Sequence, residues 1–531
     1  MIGWEEKDYI FAIALLALIP FLGAGLYVAG SKKTEVAGHP RGLYMLFFAE
    51  MWERFSYYGM RAILTLYLVK HWLFSDGQAN LIYGAYTSLV YITPLLGGYL
   101  ADRYLGQRKA VLFGGILIAI GHGLMTIEGT GGQADPALNW FWLALSFIII
   151  GTGFLKANIS VMVGQLYPLT DERRDGAYSI FYMGINAGAA FGAILVGYLG
   201  EVYGWKYGFG LAGIGMVLGL VVFVLFRGLL NGVGEPPKPA ELASKKLGLS
   251  IEHLLYVIGV ASVGVIWVLI QYQDVVGGLM LISGALMIGY ILFLASKMEK
   301  EPRERIFAII FLLIFQPVFW GLFEQAGGSL TLFTDRHVDR SGVPASLFQS
   351  INAIFIVLFA PVLAALWLKL GKKGIEPSVP AKFGIGLVLV GLGFVALVWG
   401  DSIAGPTAKV GVLFIFLIYW LHTMGELCLS PVGLSAMNRL APQHMASLIM
   451  GAWFFATAGG NFVAGMIGEA TGGEDGVATR AMTVHVYEQI GWTVVVIGVL
   501  VMLVAPFVKK WMHLDTLKDV EDAQNAQKAE G

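Results

Sequence analysis

Long apolar segments separated by short polar stretches run through this chain from one end to the other. About 20 consecutive apolar residues are needed to cross the hydrocarbon core of a bilayer as an α-helix. The pattern predicts fifteen such helices, at residues 9–29, 42–70, 78–100, 109–127, 139–163, 177–199, 208–230, 251–271, 276–296, 306–331, 346–369, 382–401, 408–436, 445–470 and 487–509. The predicted fold class is therefore an all-α membrane protein.

The charged residues are too few for a protein whose surface faces water. Of 531 residues, 57% are hydrophobic and only 13% are charged, whereas soluble domains carry about 25% charged residues. The net charge of −1 gives no indication of a nucleic-acid partner. The single cysteine, Cys428, excludes an intrachain disulfide and a cysteine-based metal cluster, and its apolar surroundings predict a small buried side chain.

The distribution of lysine and arginine between the loops predicts the orientation in the membrane, because short loops rich in these residues face the cytoplasm. Alternate loops carry them, for example Lys369, Lys372 and Lys373 after the eleventh span, whereas residues 272–275 and 402–407 contain none. With fifteen spans, this alternation places the C-terminus in the cytoplasm and the N-terminus outside.

The first span has two interpretations. A secretory signal peptide would begin with a basic segment, but residues 5–8 are net acidic and the basic residues follow the span. A retained extra transmembrane helix is therefore favoured.

The order of the remaining spans suggests two six-helix halves, a plan known among transporters. The predicted division of the chain is an extra N-terminal helix and linker at 1–40, a six-helix bundle at 41–230, a linker with two inserted helices at 231–305, a second six-helix bundle at 306–512 and a cytoplasmic tail at 513–531.

Residues 50–61 place several charges inside a predicted membrane helix. The segment reads EMWERFSYYGMR, and at about 100° per residue Glu50, Glu53, Arg54 and Arg61 fall on one face of the helix. An ionised side chain at mid-bilayer costs roughly 3 kcal/mol, so such groups face the interior of a bundle or a watery cavity. A salt-bridge ladder that only joins helices is the alternative interpretation.

Three further charges occur singly in apolar segments, namely Lys156, Glu324 and Glu426. Each is compatible with helix–helix contact or with function. Together with residues 50–61 they give four interior carboxylates and three interior cations, so one added proton makes the set neutral. Separate cationic and anionic poles suit a zwitterion, with its carboxylate toward Arg61 and Lys156 and its ammonium toward Glu426. These are the parts of a proton-coupled symporter.

The sequence resembles the bacterial proton-dependent oligopeptide transporter (POT/PTR2) family of the major facilitator superfamily. Residues 50–59 resemble the family signature E-x-x-E-R-F-x-Y-Y-G without a departure. Residues 181–188, FYMGINAG, resemble the second motif F-Y-x-x-I-N-x-G, and residues 98–109 resemble the superfamily's cytoplasmic loop motif. The resemblance covers about 41–512 and implies two six-helix bundles with two inserted helices. The extra helix at 9–29 lies outside the usual bacterial pattern.

The resemblance also implies roles for individual residues. Proton coupling would involve Glu50, Glu53, Arg54 and Glu324. Gating salt bridges would join Arg61 to Glu324 on the outer side and Lys156 to Glu426 on the inner side. The peptide site would comprise Tyr57, Tyr58, Arg61, Tyr91, Lys156, Asn186, Trp320, Asn352, Glu426, Trp453 and Thr457. Animal members have a coupling histidine where this sequence aligns Gly84, which leaves proton coupling to the carboxylates.

The predicted function is import of di- and tripeptides with protons across the bacterial inner membrane by alternating access. The same fold carrying an amino acid, nitrate or a drug-like molecule is the alternative, and a sensor of this fold is a further one. An intramembrane enzyme is disfavoured because the sequence has no HExxH motif and no interior aspartate pair. No catalytic residue, metal or cofactor is expected, and a structural role is expected for His422.

Overall fold

The computed structural model describes residues 4–168, 171–246, 248–473 and 478–516. Its helices are α1 Glu6–Gly30, α2 Arg41–Lys70, α3 Asp76–Leu100, α4 Gln107–Met125, α5 Leu138–Gln165, α6 Arg173–Tyr198, α7 Trp205–Phe226, α8 Pro239–Ala243, α9 Ile251–Leu269, α10 Gln273–Ser296, α11 Lys300–Phe323, α12 Ser329–His337, α13 Ser350–Lys372, α14 Val379–Ala404, α15 Leu413–Leu440, α16 Ala446–Thr471 and α17 Arg480–Trp511. All but α8 and α12 match the fifteen predicted spans, so the predicted fold class is confirmed.

Three pairs of very short strands occur in the connecting segments of the described chain. The antiparallel pairs are β1 Glu35–Val36 with β2 His39–Pro40 and β3 Lys245–Lys246 with β4 Leu249–Ser250, and the parallel pair is β5 Val338–Asp339 with β6 Val410–Gly411. These short pairs connect loop segments near the ends of the helices, and the fold remains all-α.

Thirteen helical segments of the described chain are long and apolar enough to span a membrane, and they make the chain an integral membrane protein. The two long helices outside that set are α2, with 30 residues, and α3, with 25. Most of α2 is buried within the protein, including Glu50, Glu53, Arg54 and Arg61, whereas Lys70 at its end is exposed. Since α2 is surrounded by protein rather than by lipid, it does not need a continuous apolar surface; α3 is buried mainly in its first part, residues 76–90.

The tenth predicted span, 306–331, differs most from the structure. Helix α11 begins earlier, at Lys300, and ends at Phe323; a single 3₁₀ turn, Glu324–Gly327, follows, and α12 continues beyond it. Gly327 and Gly328 lie at this break, and a Cβ on Gly327 would be 1.9 Å from the hydroxyl of Tyr83. The α-helix is therefore interrupted at Glu324, whose side chain is buried in the protein interior.

Helices α2–α7 pack on one another, as do α11–α17. The two groups meet along α3 with α16 and along α6 with α13, while α9 packs on α5, and α10 packs on α11 and α16. This arrangement agrees with two six-helix halves, although the exact domain boundaries remain a prediction.

Glycines allow α6 to approach α2 beside the charged segment 50–61. A Cβ on Gly188 would lie 2.2 Å from the backbone oxygen of Met51, and one on Gly192 would lie 2.3 Å from that of Phe55. No side chain fits at these distances. Gly188 is the last residue of the motif at 181–188, so the two sequence motifs meet in space.

Helix α1 packs on the outside of α6 and α2. The ring of Phe11 stacks on that of Tyr198 at 4.3 Å, and the Tyr198 hydroxyl donates to Asp8 at 2.5 Å. At its other end, Arg41 donates to the backbone oxygens of Val28 and Ala29. The extra helix is thus fastened at both ends. Most of the predicted tail, residues 517–531, lies outside the described residues.

Candidate functional site

Glu50, Glu53 and Arg54 form a charged cluster on the interior face of α2, with exposures of 3%, 1% and 3%. Arg54 Nε lies 2.9 Å from Glu50 Oε1 and 2.5 Å from Glu53 Oε2. The first contact is a hydrogen bond, whereas neither oxygen of Glu53 has an aligned hydrogen-bond partner among the described residues. Two carboxylates share one guanidinium, so the cluster has room for one proton.

Arg61 and Glu324 form an ion pair of 2.8 Å between the two halves. The Tyr83 hydroxyl donates to the same carboxylate oxygen, Glu324 Oε2, at 3.3 Å, and the rings of Tyr58 and Tyr83 lie 5.3 and 5.8 Å from the guanidinium carbon of Arg61. Nearby, Thr65 donates to the backbone oxygen of Gly327 at 2.6 Å. These contacts fasten α2 to the turn after α11.

A cavity of about 930 Å³ lies between the halves. At one end, called here the closed end, its wall contains Arg61 and Glu324. At the other, called the basic end, its wall contains Lys382 and Arg439, and Arg439 is exposed at the surface. The cavity is thus sealed by the buried ion pair at one end and reaches the surface at the other.

Most of the residues predicted to contact a substrate line this cavity. They are Tyr58, Arg61, Tyr91, Asn186, Trp320, Asn352, Glu426, Trp453 and Thr457, together with the predicted coupling residue Glu324. Tyr57 and Lys156 are not part of the wall. Tyr57 is buried beside it, with its ring 5.5 Å from the guanidinium carbon of Arg54.

The predicted ion pair between Lys156 and Glu426 is not formed in this structure. The Lys156 ammonium lies 3.4 Å from the centre of the Tyr91 ring, and Glu426 instead accepts a hydrogen bond of 3.0 Å from Asn352. Because the cavity is open at its basic end, the halves are separated there and the two side chains remain on opposite sides. Neither Lys156 nor Glu426 therefore forms an ion pair with a described residue.

Sequence reasoning missed several residues of the cavity wall. Tyr182, Tyr419 and Gln349 contribute polar groups to it. Tyr182 lies within the motif at 181–188, one turn before Asn186, so helical spacing was a usable signal. Lys382, the first residue of the predicted span 382–401, forms an ion pair with Glu376 at the basic end; the sequence carries no sign of this contact.

Two residues that had been singled out have structural explanations. His422 is buried and its Nε2 lies 3.1 Å from the backbone oxygen of Val390; the residue is also part of the cavity wall. A Cβ on Gly84 would lie 2.7 Å from the Cα of Gly465 in α16, so no histidine fits there. Cys428 is buried, as predicted.

The described residues contain no group of three or more His, Cys, Asp or Glu side chains placed to hold a metal ion.

Comparisons with known proteins identify relatives over most of the chain. The sequence profile of the POT family, PTR2, matches residues 108–479. The chain is 38% identical to the uncharacterized transporter YclF of Bacillus subtilis, over 90% of this chain and 95% of that protein. It is 33% identical to the dipeptide and tripeptide permease A of Erwinia pyrifoliae, over 89% and 94%.

A solved structure agrees with the sequence comparisons. A POT family transporter crystallised in complex with 5-aminolevulinic acid matches with a TM-score of 0.76 at 31% identity, and the match covers 91% of this chain and 99% of that chain. The similarity therefore extends over both halves and the helices between them.

Proposed function

The chain belongs to the POT family of transporters, and from this premise we propose that it is a proton-coupled symporter that imports di- and tripeptides across the bacterial inner membrane by alternating access. The observation that carries the proposal is the cavity between the halves, whose wall holds unpaired and paired charges at separate positions. A relative named as a dipeptide and tripeptide permease supports the substrate class.

The charges around the cavity suit a molecule with an amino group at one end and a carboxylate at the other. Glu426 faces the cavity, and among the described residues only Asn352 donates a hydrogen bond to it. It can therefore accept a charge-assisted hydrogen bond from the peptide ammonium. Arg61 at the closed end and Lys156 behind Tyr91 supply positive potential for the carboxylate. Trp320 and Trp453 offer apolar walls to the side chains.

Carboxylates of α2 and of the turn after α11 are the candidates for carrying protons. Glu53 is buried, and no described residue offers it an aligned hydrogen-bond donor; an ionised carboxylate in such a place is costly. We assign it, with Glu50 and Arg54, to the proton-coupling site. Glu324 is assigned to a second site, because its protonation would weaken the pair with Arg61 and so favour opening of the closed end.

The two ends of the cavity indicate the side of the membrane to which this conformation is open. If the loops rich in lysine and arginine face the cytoplasm, the basic end opens inward and the Arg61–Glu324 pair closes the outside. Rocking of the halves would then exchange the open end. Formation of the Lys156–Glu426 pair would accompany closure of the basic end.

A second substrate class has one observation in its favour. A solved POT family structure contains 5-aminolevulinic acid, which also carries amino and carboxyl groups at opposite ends. A small amino acid of this kind would use the same charges as a peptide. A simple anion such as nitrate would leave Glu426 unpaired.

The proposal is tested by uptake of a labelled dipeptide into proteoliposomes that contain the purified protein. An imposed proton gradient, inside alkaline and negative, is expected to produce accumulation that an uncoupler abolishes. As a control, unlabelled di- and tripeptides and an equal concentration of a single amino acid are each added as competitors. Only the peptides should reduce uptake of the labelled dipeptide. Uptake that does not respond to the gradient would overturn the proposed proton coupling. Competition by the amino acid alone would show that the substrate is an amino acid rather than a peptide.

A further inference from the structure

We propose that Asp76 and Arg336 form a second latch at the closed end, distinct from the Arg61–Glu324 pair, and that the transport cycle must open it. The inference rests on the alternating-access function proposed above, and it adds a gating pair at the seam between α3 and the second half.

The latch is a bidentate ion pair between the halves. Arg336, in the last turn of α12, places its two terminal nitrogens 2.7 Å from the two carboxylate oxygens of Asp76. Asp76 is the first residue of α3 and is 2% exposed. The backbone N–H of Ala478, just before α17, donates to the same carboxylate at 2.6 Å. One side chain of the first half is thus held by two segments of the second.

Its position along α3 makes the latch sensitive to rocking. Eight residues further along, Gly84 meets Gly465 of α16 almost backbone to backbone, so this contact is a suitable pivot. Eight helical residues span ~12 Å. A rotation of about 10° about the pivot would displace Asp76 by about 2 Å, which is more than a hydrogen bond tolerates.

The burial of Asp76 gives the latch its strength. A carboxylate removed from water is stabilised here by three donors, and breaking a buried pair exposes both charges to an environment that stabilises them less well. Opening the closed end therefore requires that Asp76 regain water or another donor. Arg336 needs no replacement partner when the pair breaks, because its side chain is 30% exposed and is already partly hydrated.

A purely local role for Asp76 is the competing explanation. Its carboxylate would then only hold the segment before α17 through Ala478, and Arg336 would be dispensable. The two explanations differ for Arg336→Gln, which leaves the contact with Ala478 intact.

The experiment measures the separation of the halves at the closed end, by electron–electron resonance between spin labels on Asn139→Cys and Lys409→Cys. Both positions are exposed at the closed end: Asn139 lies in the first turn of α5, and Lys409 lies just before β6. Cys428→Ser provides the background, since Cys428 is the chain's single cysteine. Asp76→Asn and Arg336→Gln are each introduced into it, and gel filtration verifies that the labelled proteins are monodisperse.

Both variants are expected to raise the ratio of the long-distance to the short-distance population by about tenfold, and the double variant is expected to add little to either. The matched control Asp274→Asn changes an exposed aspartate in the first turn of α10 and should leave the distances unchanged. An unaltered distribution in Arg336→Gln overturns the latch. Because no peptide is needed, a wrong substrate assignment would show only in the uptake assay.

Discussion

Replacement of Glu53 by glutamine is expected to abolish proton-driven accumulation of dipeptide while leaving exchange largely intact. Glutamine keeps the size of the side chain but cannot carry a proton. A membrane potential of 100 mV supplies about 2.3 kcal/mol per charge, which corresponds to accumulation of about 50-fold. Without the coupled proton, the accumulation ratio should fall toward one. Labelled dipeptide uptake under an imposed gradient measures this loss.

Counterflow in the same proteoliposomes separates coupling from folding. Exchange of labelled for unlabelled peptide needs the cavity and the rocking motion but no net proton movement, so Glu53→Gln should retain it. Glu172→Gln, an exposed glutamate just before α6, is the matched control and should retain both activities. Equal loss of uptake and counterflow in Glu53→Gln would assign the residue to structure.

Replacement of Glu426 by glutamine is expected to weaken dipeptide binding by roughly 10- to 100-fold, because a hydrogen bond to a charged group contributes about 1.5–3 kcal/mol. The new amide oxygen can still accept from Asn352, which donates to Glu426 at 3.0 Å, so the cavity wall should keep its shape. Isothermal titration of the purified protein with an unmodified dipeptide measures the change in affinity.

An N-acetylated dipeptide is the control for this prediction. It has no ammonium group, so wild type should bind it more weakly than the free dipeptide, and Glu426→Gln should bind it about as well as wild type does. An equal loss of affinity for both peptides in the variant would show that Glu426 supports the wall rather than the peptide amino group.

The fifteen helices were predictable because the requirement for apolar residues in a bilayer is strict. Segment boundaries agree to within a few residues for most spans, as for α2, predicted at 42–70 and found at Arg41–Lys70. The start of α17 was placed at 487 but lies at Arg480, where the Thr479 side chain accepts from the backbone of Met482. Hydropathy does not report such a cap.

The charged face of α2 was also predictable, since periodicity alone places Glu50, Glu53, Arg54 and Arg61 together. Their partners were harder to infer. Helical periodicity describes one helix at a time. The contact of Arg61 with Glu324 depends on the break between α11 and α12, and in the sequence only Gly327 and Gly328 suggest that break. Roles within the site remain predictions.

The state of the transporter lies beyond the sequence altogether. Residues 156 and 426 were expected to pair, and the same sequence is compatible with a paired and an unpaired arrangement. In this structure Lys156 lies against the Tyr91 ring and Glu426 is held by Asn352. Under the proposed alternating access, the same residues form one set of contacts when the basic end is open and another when it is closed.

The most direct measurement is a structure of the protein with a dipeptide bound. The peptide is predicted to lie in the cavity with its amino nitrogen about 3 Å from a carboxylate oxygen of Glu426 and its carboxylate toward Arg61 and Lys156. A peptide bound outside the cavity, or bound inside it with its two ends reversed, would contradict the claim that these buried charges bind the two ends of a dipolar molecule.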